Sequence, residues 1–182
     1  MKVIETKLKG CFVIEPRVFN DDRGYFFESY NKEKFEELTG SKVGFVQDNE
    51  SFSTKGVLRG LHFQKGEHAQ AKLVRVTHGE VLDVAVDIRP DSDTFLQVVT
   101  ERLSAENKKQ LFVPRGFAHG FIVLSDTVVF NYKCDNFYNK ASEGGIIYND
   151  VTLNIDWVLG SNEFLVSEKD LVLQTVKELF LR

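Results

Sequence analysis

The sequence predicts a mainly β protein, an antiparallel sandwich or barrel with one short early helix and one helix at the C-terminal end. Three observations predict it. Extended, apolar-rich segments recur at close spacing from Val3 to Tyr148, separated by glycines and polar pairs. Several alternate cleanly, as in Val81-Leu82-Asp83-Val84-Ala85-Val86-Asp87, where Leu82, Val84 and Val86 share one side. Helix signals, in contrast, are confined to a short stretch after Asn31 and to the tail after Ser167.

Taken in order, residues 3–19 read as extended through Val3-Ile4, Phe12-Val13-Ile14 and Val18-Phe19. Asn20-Asp21-Asp22-Arg23-Gly24 has turn chemistry and leads into the aromatic run Tyr25-Phe26-Phe27. Asn31 can cap a helix over Lys32–Leu38, with Phe35 and Leu38 on its inner face and Gly40 ending it. Extended segments are then expected at 43–48, 57–64, 71–77, 80–89, 95–102, 110–113, 118–124, 127–134 and 145–148. Ser167-Glu168-Lys169-Asp170 has the Ser-x-x-acid form of a capping box. Val172, Val176 and Phe180 follow at helical spacing and predict a terminal helix. There is no internal repeat, low-complexity tract or linker, so one domain is expected over residues 1–182.

Composition narrows the function classes. Apolar residues make up 42% and charged residues 27% of 182, the balance of a soluble globular chain. No apolar run approaches the ~20 residues of a membrane span, and Met1-Lys2-Val3-Ile4-Glu5 lacks the pattern of a signal peptide. Cys11 and Cys134 are far apart and form no metal-type spacing, which fits reduced thiols in a cytoplasm. A net charge of −4 argues against nonspecific nucleic-acid binding. A local cluster of Arg and Lys could still hold a small anion.

The stretch Gly56-Val57-Leu58-Arg59-Gly60-Leu61-His62-Phe63-Gln64 places a guanidinium and an imidazole in a segment that otherwise seeks burial. Read alone, it is a strand with one solvated Arg and one hydrogen-bonded core His. Val113-Pro114-Arg115-Gly116-Phe117-Ala118-His119-Gly120-Phe121 repeats the theme, an imidazole among aromatics and glycines. Tyr132 shares a strand face with Phe130 and, by itself, fits a core tyrosine. Lys72 shares a face with Val74 and Val76, so it either snorkels outward or enters a cavity. His62, His68, His78 and His119 are too dispersed for a metal site by spacing, with no His-x-His pair and no His-Glu-x-x-His helix.

Six pieces in order resemble one family. They are Phe19 through Glu28, Phe45 through Asn49, Gly56 through Gln64, Gln70 through Arg89, Gln110 through His119, and Tyr132-Lys133 with Tyr138 and Glu143. Together, from about Val13 to Asp170, the chain resembles the dTDP-4-dehydrorhamnose 3,5-epimerases. The resemblance implies a cupin-type antiparallel jelly roll and a homodimer whose sites are completed by the neighbouring chain's N-terminal region. It implies epimerisation of dTDP-4-dehydro-6-deoxyglucose at C3 and C5 without metal or redox cofactor. Both carbons flank the C4 ketone, so the chemistry needs a base, a proton donor on the other face, and a stabiliser for the enolate oxygen.

By the same resemblance His62 is the base, Tyr132 the donor and Lys72 the oxyanion stabiliser. Asp170 is the expected carboxylate partner of His62, with Asp83 as the second choice, and Asp170 also fits the capping box. Arg23 and Arg59 suit a pyrophosphate. Phe26, Glu28, Gln47, Asn49 and Glu143 are further nucleotide-sugar contacts, Tyr138 offers a ring to stack on the base, and His119 belongs near the sugar. The chain departs from the family pattern at Val151 and Val158, where prolines are usual, and in the apolar tail Leu171–Arg182. Three rival readings stay open: an epimerase acting at C3 or C5 alone, a non-catalytic sugar-nucleotide-binding cupin, and a metal-dependent cupin.

One local expectation follows from spacing. Strict alternation over Val57–Gln64 puts Arg59 and His62 on opposite faces, yet one ligand needs both. A bulge at Gly60 would bring them together. Without one, Arg59 must curl inward from the strand's mouth.

Overall fold

The computed structural model describes residues 1–180; Leu181 and Arg182, the end of the predicted terminal helix, lie outside the described residues. Two sheets form the body. The first has the order β1-β2-β10-β7-β12-β5, from Lys2–Glu5, Phe12–Glu15, Gln110–Val113, Lys72–His78, Thr127–Cys134 and Gln47–Thr54. The second has the order β13-β6-β11-β8-β9, from Glu143–Gly145, Val57–Gln64, Phe117–Val123, Glu80–Asp87 and Val98–Ser104. All these pairings are antiparallel; a short β14 (Leu165–Val166) adds in parallel to the start of β6. β3 (Val18–Asp21) and β4 (Gly24–Phe27) form a hairpin that pairs only with itself. Among the described residues three α-helices complete the order, α1 (Lys32–Thr39), α2 (Glu168–Leu171) and α3 (Val176–Phe180).

Alternation along the strands builds three apolar layers. Between the sheets lie Val74 and Val76 of β7 and Val128 and Phe130 of β12, against Val81 and Ala85 of β8 and Phe121 and Val123 of β11. The opposite side of β8, with Leu82, Val84 and Val86, is covered by Leu153, Trp157 and Val176 of the C-terminal segment. The outer face of the first sheet is closed by Phe35 of α1, fully buried, with its ring 5.0 Å from that of Phe112. Burying one such phenylalanine stabilises by about 2–3 kcal/mol.

Several expectations need correcting. α1 is capped as foreseen, with the Asn31 side chain accepting from Lys34 N–H and Gly40 left-handed at φ 68°. Leu38, however, is exposed, because the space beside Phe35 is filled by the rings of Tyr30 and Phe45. That use of Val43 and Phe45 also moves the strand expected at 43–48 to Gln47–Thr54. The strand expected at 95–102 begins at Val98, since residues 92–97 fold into a turn closed by Leu96 N–H to the Asp87 carbonyl. The strand expected at 145–148 lies instead at Glu143–Gly145, and beyond it Ile146 makes an isolated bridge, to Gln174.

The terminal helix is split. Ser167 caps α2 as predicted, but Val172 is 79% exposed and ends it. Thr175 and Glu178 then form a second reciprocal cap, the Thr175 N–H donating to Glu178 at 2.7 Å and the Glu178 N–H to the Thr175 hydroxyl at 3.3 Å. Between the helices, Gln174 bridges to Ile146.

Candidate active site

The site starts from the break in β6. Across the β6–β11 ladder His62 faces His119 and Arg59 faces Phe121, so β6 spends three residues where β11 spends two. The extra residue sits at Gly60-Leu61, which is the bulge that the Arg59–His62 spacing called for. Leu58 and Leu61 consequently both join the outer apolar cluster, while Arg59 and His62 line one cavity between the sheets. Only glycine fits at position 60: its φ is +124°, and a Cβ there would lie 2.6 Å from the Gly120 Cα.

Two histidine–carboxylate pairs flank the bulge. His62 Nε2 lies 2.7 Å from Asp170 Oδ1, and the Gly60 N–H donates to Asp170 Oδ2 at 3.2 Å. Only half of the expected capping box forms: Ser167 accepts from the Asp170 backbone N–H, while the Asp170 carboxylate, instead of returning to Ser167, reaches β6. Burial alone would raise this carboxyl, but the His62 and Gly60 contacts hold it below the usual carboxylate range. An ionised Asp170 accepts from Nε2–H of His62, which in the neutral ring leaves the lone pair on Nδ1. Asp83, the second choice as partner of His62, instead meets His119 Nε2 at 3.0 and 3.1 Å and is fully buried.

Lys72 and Tyr132 come from the other sheet. Lys72 takes the cavity option of its two predicted fates, with Nζ 6.0 Å from the centre of the Tyr132 ring. Burial pushes its ammonium below the ordinary lysine value, against the pull of Cys134, Asp83 and Glu143. Burial also raises the Tyr132 phenol, which stays a protonated donor at neutral pH. Both residues line two adjoining cavities, of about 290 Å³ and 370 Å³, and so does His62. Arg59 and His119 line the first, with Asp170; Gln47, Asn49, Tyr138 and Glu143 line the second.

Arg23, Phe26 and Glu28 line neither cavity. Arg23 pairs with Asp21 at 2.6 Å, Glu28 with Lys34 at 2.8 Å, and Phe26 is 71% exposed. The sequence reading also missed contributors. Ser53 accepts from Arg59 Nε and an Arg59 terminal nitrogen at 3.2 and 3.1 Å. Ser51 and Lys169 line the first cavity. Glu143 accepts from Lys169 and from the Tyr138 hydroxyl, joining α2 to β13 across the opening. The signal for Ser51 and Ser53 was present: Gln47, Asn49, Ser51 and Ser53 alternate as the more buried face of β5, and an all-polar inner face marks a wet wall. Among the described residues no group of three or more His, Cys, Asp or Glu is placed to hold a metal ion.

The chain is similar to known proteins over most of its length. A family model described as dTDP-4-dehydrorhamnose 3,5-epimerase matches residues 5–178. The dTDP-4-dehydrorhamnose 3,5-epimerase of Escherichia coli K12 is 55% identical over 98% of this chain and 96% of its own. The crystal structure of the enzyme of that name from Elizabethkingia anophelis NUHP1 superposes with a TM-score of 0.95 at 60% identity, covering 98% of this chain and 97% of that one. A dTDP-6-deoxy-D-glucose-3,5-epimerase from Legionella pneumophila Philadelphia 1, in complex with dTDP-4-keto-L-rhamnose, gives a TM-score of 0.92 at 49% identity, over 96% and 92% of the two chains. With the family model spanning nearly its whole length and relatives this near over the same residues, the chain belongs to the dTDP-4-dehydrorhamnose 3,5-epimerase family.

Proposed function

We propose that this chain epimerises dTDP-4-dehydro-6-deoxy-D-glucose at C3 and C5, giving dTDP-4-dehydro-L-rhamnose, by proton removal and return through an enolate. The observation that carries the reading is that His62 and Tyr132 line the same cavity from opposite sheets. Inversion at a carbon next to a ketone needs a base on one face and a donor on the other. His62, oriented by Asp170, takes the proton; Tyr132 returns one from the opposite wall. Lys72 offers a point charge to the oxygen that becomes an enolate, in a site partly screened from water. His119, held by Asp83, completes the sugar pocket.

The second cavity suits the nucleotide. Tyr138 gives a face for thymine and Gln47, Asn49 and Glu143 give polar contacts, while Arg59, in the wall of the adjoining first cavity, gives donors for the diphosphate. Arg23, Phe26 and Glu28 enter as contributions from a second copy of the chain, whose β3–β4 hairpin completes the site in a homodimer. A cytoplasmic setting fits two free, buried cysteines. No helix among the described residues is long and apolar enough to cross a membrane.

Incubation with dTDP-4-dehydro-6-deoxyglucose in deuterated water tests the reading. Deuterium at both C3 and C5 of the product is the expected result. Label at one carbon alone would identify a single-carbon epimerase, and no label with intact binding would leave a sugar-nucleotide-binding module.

A further inference from the structure

The wall that carries Tyr138 is a loop running into Glu143 at the start of β13, and it is tied down along its length. Ala71 N–H donates to Asp135, Gln70 to the Asn136 carbonyl, and Lys65 N–H to the Ser142 carbonyl. At its centre is Asn139, half-buried, with three separate attachments. Its backbone N–H donates to Gln64 Oε1 at 3.0 Å, two residues beyond His62 on β6. Its side-chain oxygen accepts from the N–H groups of Ala141 and Ser142 at 2.9 and 3.2 Å, capping the 3-10 turn Lys140–Ser142 that leads into Glu143. Its side-chain nitrogen meets His68 Nε2 at 3.1 Å.

This last contact constrains a proton. Because Oδ1 is committed to two backbone donors, the amide cannot be turned round without orphaning them. Nδ2 is therefore the group facing His68, and it can only donate. The imidazole must present a lone pair at Nε2, which it does only when neutral. Protonation would set an N–H against an N–H₂ and remove the acceptor. The charged group within ion-pair reach of His68 is Glu67 of its own turn, at 3.9 Å and 90% exposed. From the facing segment, Asp135 is committed to Arg115, and Glu143 to Tyr138 and Lys169; Lys140 is exposed, and Lys65 lies over the Phe63 ring.

We propose that His68 is a pH-sensitive positioning residue: its neutral imidazole holds Asn139, and through it the Tyr138–Glu143 wall against which the nucleotide packs. Protonating His68 loosens that wall, so nucleotide affinity falls on the acid side while the proton-transfer step at His62 and Tyr132 is spared. The inference rests on the epimerase reading, in that the Tyr138–Glu143 wall is taken as the nucleotide's.

Calorimetric titration of dTDP from about pH 5 to about pH 8 tests it, across the range where an ordinary histidine titrates. The wild-type chain is compared with His68→Gln, whose side-chain oxygen accepts from Asn139 at every pH. A second variant, Asn139→Asp, keeps the cap but places an acceptor opposite the imidazole. Expressed as a ratio of variant to wild type at each pH, ionisation of the diphosphate cancels. The acid-side weakening unique to the wild type should be about three- to tenfold, the scale of one lost hydrogen bond. His68→Gln should remove it, Asn139→Asp should abolish or reverse it, and the difference between wild type and His68→Gln should fall on KM rather than kcat, since both keep His62 as the base. Superimposable profiles for wild type and His68→Gln, or a pH-independent loss in His68→Gln, would overturn the proposal. Failure of the wild type to bind dTDP at any pH would instead overturn the epimerase reading, and the inference with it.

Discussion

His62 Nε2 and Asp170 Oδ1 meet at 2.7 Å although 108 residues separate them in the chain. The His62 ring is partly exposed to the cavity while the Asp170 carboxylate is almost fully buried at its edge, so Asp170 is placed to orient the ring. We expect His62→Ala to abolish deuterium exchange at both C3 and C5 while dTDP affinity is kept. Asp170→Asn should lower kcat by about 10²-fold or more, the scale of a disabled general base, with little change in dTDP affinity. Near-full turnover by His62→Ala would end the assignment.

Tyr132→Phe separates the two halves of the reaction. Because the phenol lies on the sheet opposite His62, its loss should leave proton removal and solvent exchange while suppressing inversion. Nuclear magnetic resonance of the recovered sugar nucleotide distinguishes label without inversion from inversion itself. Equal loss of both would make Tyr132 a structural residue.

Two glycines with nearly the same backbone angle should behave differently. Gly60→Ala drives a Cβ to 2.6 Å from Gly120 Cα and 2.9 Å from the His119 carbonyl, two backbone groups that cannot move aside. Urea denaturation should show a loss of about 3 kcal/mol or more, together with loss of activity. Gly24→Ala, at φ +127° with nothing within 4 Å, should cost only about 1 kcal/mol. Comparable losses at both positions would mean that the close approach of β6 to β11 is unimportant.

Acid stability depends on Asp87. Burial opposes its ionisation, but Arg89, Ser92 and Thr94 all donate to it, and together they bring the carboxyl from 3.8 down to about 2. A carboxyl depressed in the folded state contributes stability that is fully present above its unfolded value and lost as pH falls through its folded one. The contribution is roughly 2 kcal/mol. Asp87→Asn should therefore be less stable at neutral pH, and the gap from wild type should close between about pH 4 and about pH 2. A constant gap over that range would show that the carboxylate's charge is irrelevant.

Cross-chain completion of the site can be read by mixing. Arg23→Ala and His62→Ala should each be impaired alone, since one damages the contribution to the neighbour and the other the resident base. Exchange of subunits between them should restore activity, because a mixed dimer holds one site with both residues intact. No recovery on mixing, with dimers present by ultracentrifugation, would place Arg23 in its own chain's site or in none.

Much of this architecture is legible because β-strand alternation is a strong signal. β8 could be phased from Leu82, Val84 and Val86 alone, and the odd spacing of Arg59 and His62 located the bulge. What resisted reading was carried by partners distant in sequence. Nothing near Asp83 indicates that it will hydrogen-bond His119, which sits diagonally across the ladder, opposite Ala85, because the contact depends on β8 and β11 being neighbours in register. β5 was misplaced because its inner face is polar, so the apolar periodicity that marks a strand is missing. The tail was read as one helix because Val172, Val176 and Phe180 keep helical spacing. The competing Thr175–Glu178 cap won, and Gln174 was drawn to Ile146. Lys169 was hidden in plain view inside the box that gave Asp170.

β14 and α2 reach β6 only after more than a hundred intervening residues, laying Leu165–Val166 beside Val57–Leu58 and delivering Asp170 to His62. During synthesis the paired strands of both sheets up to β13 leave the ribosome before this segment does. A nascent chain halted short of Asp170 can thus assemble its strands and still hold an imidazole with no carboxylate to fix its tautomer. In the proposed mechanism the docking of α2 supplies that carboxylate, so the assembly of the strands and the onset of full activity become two separable events in the life of the molecule.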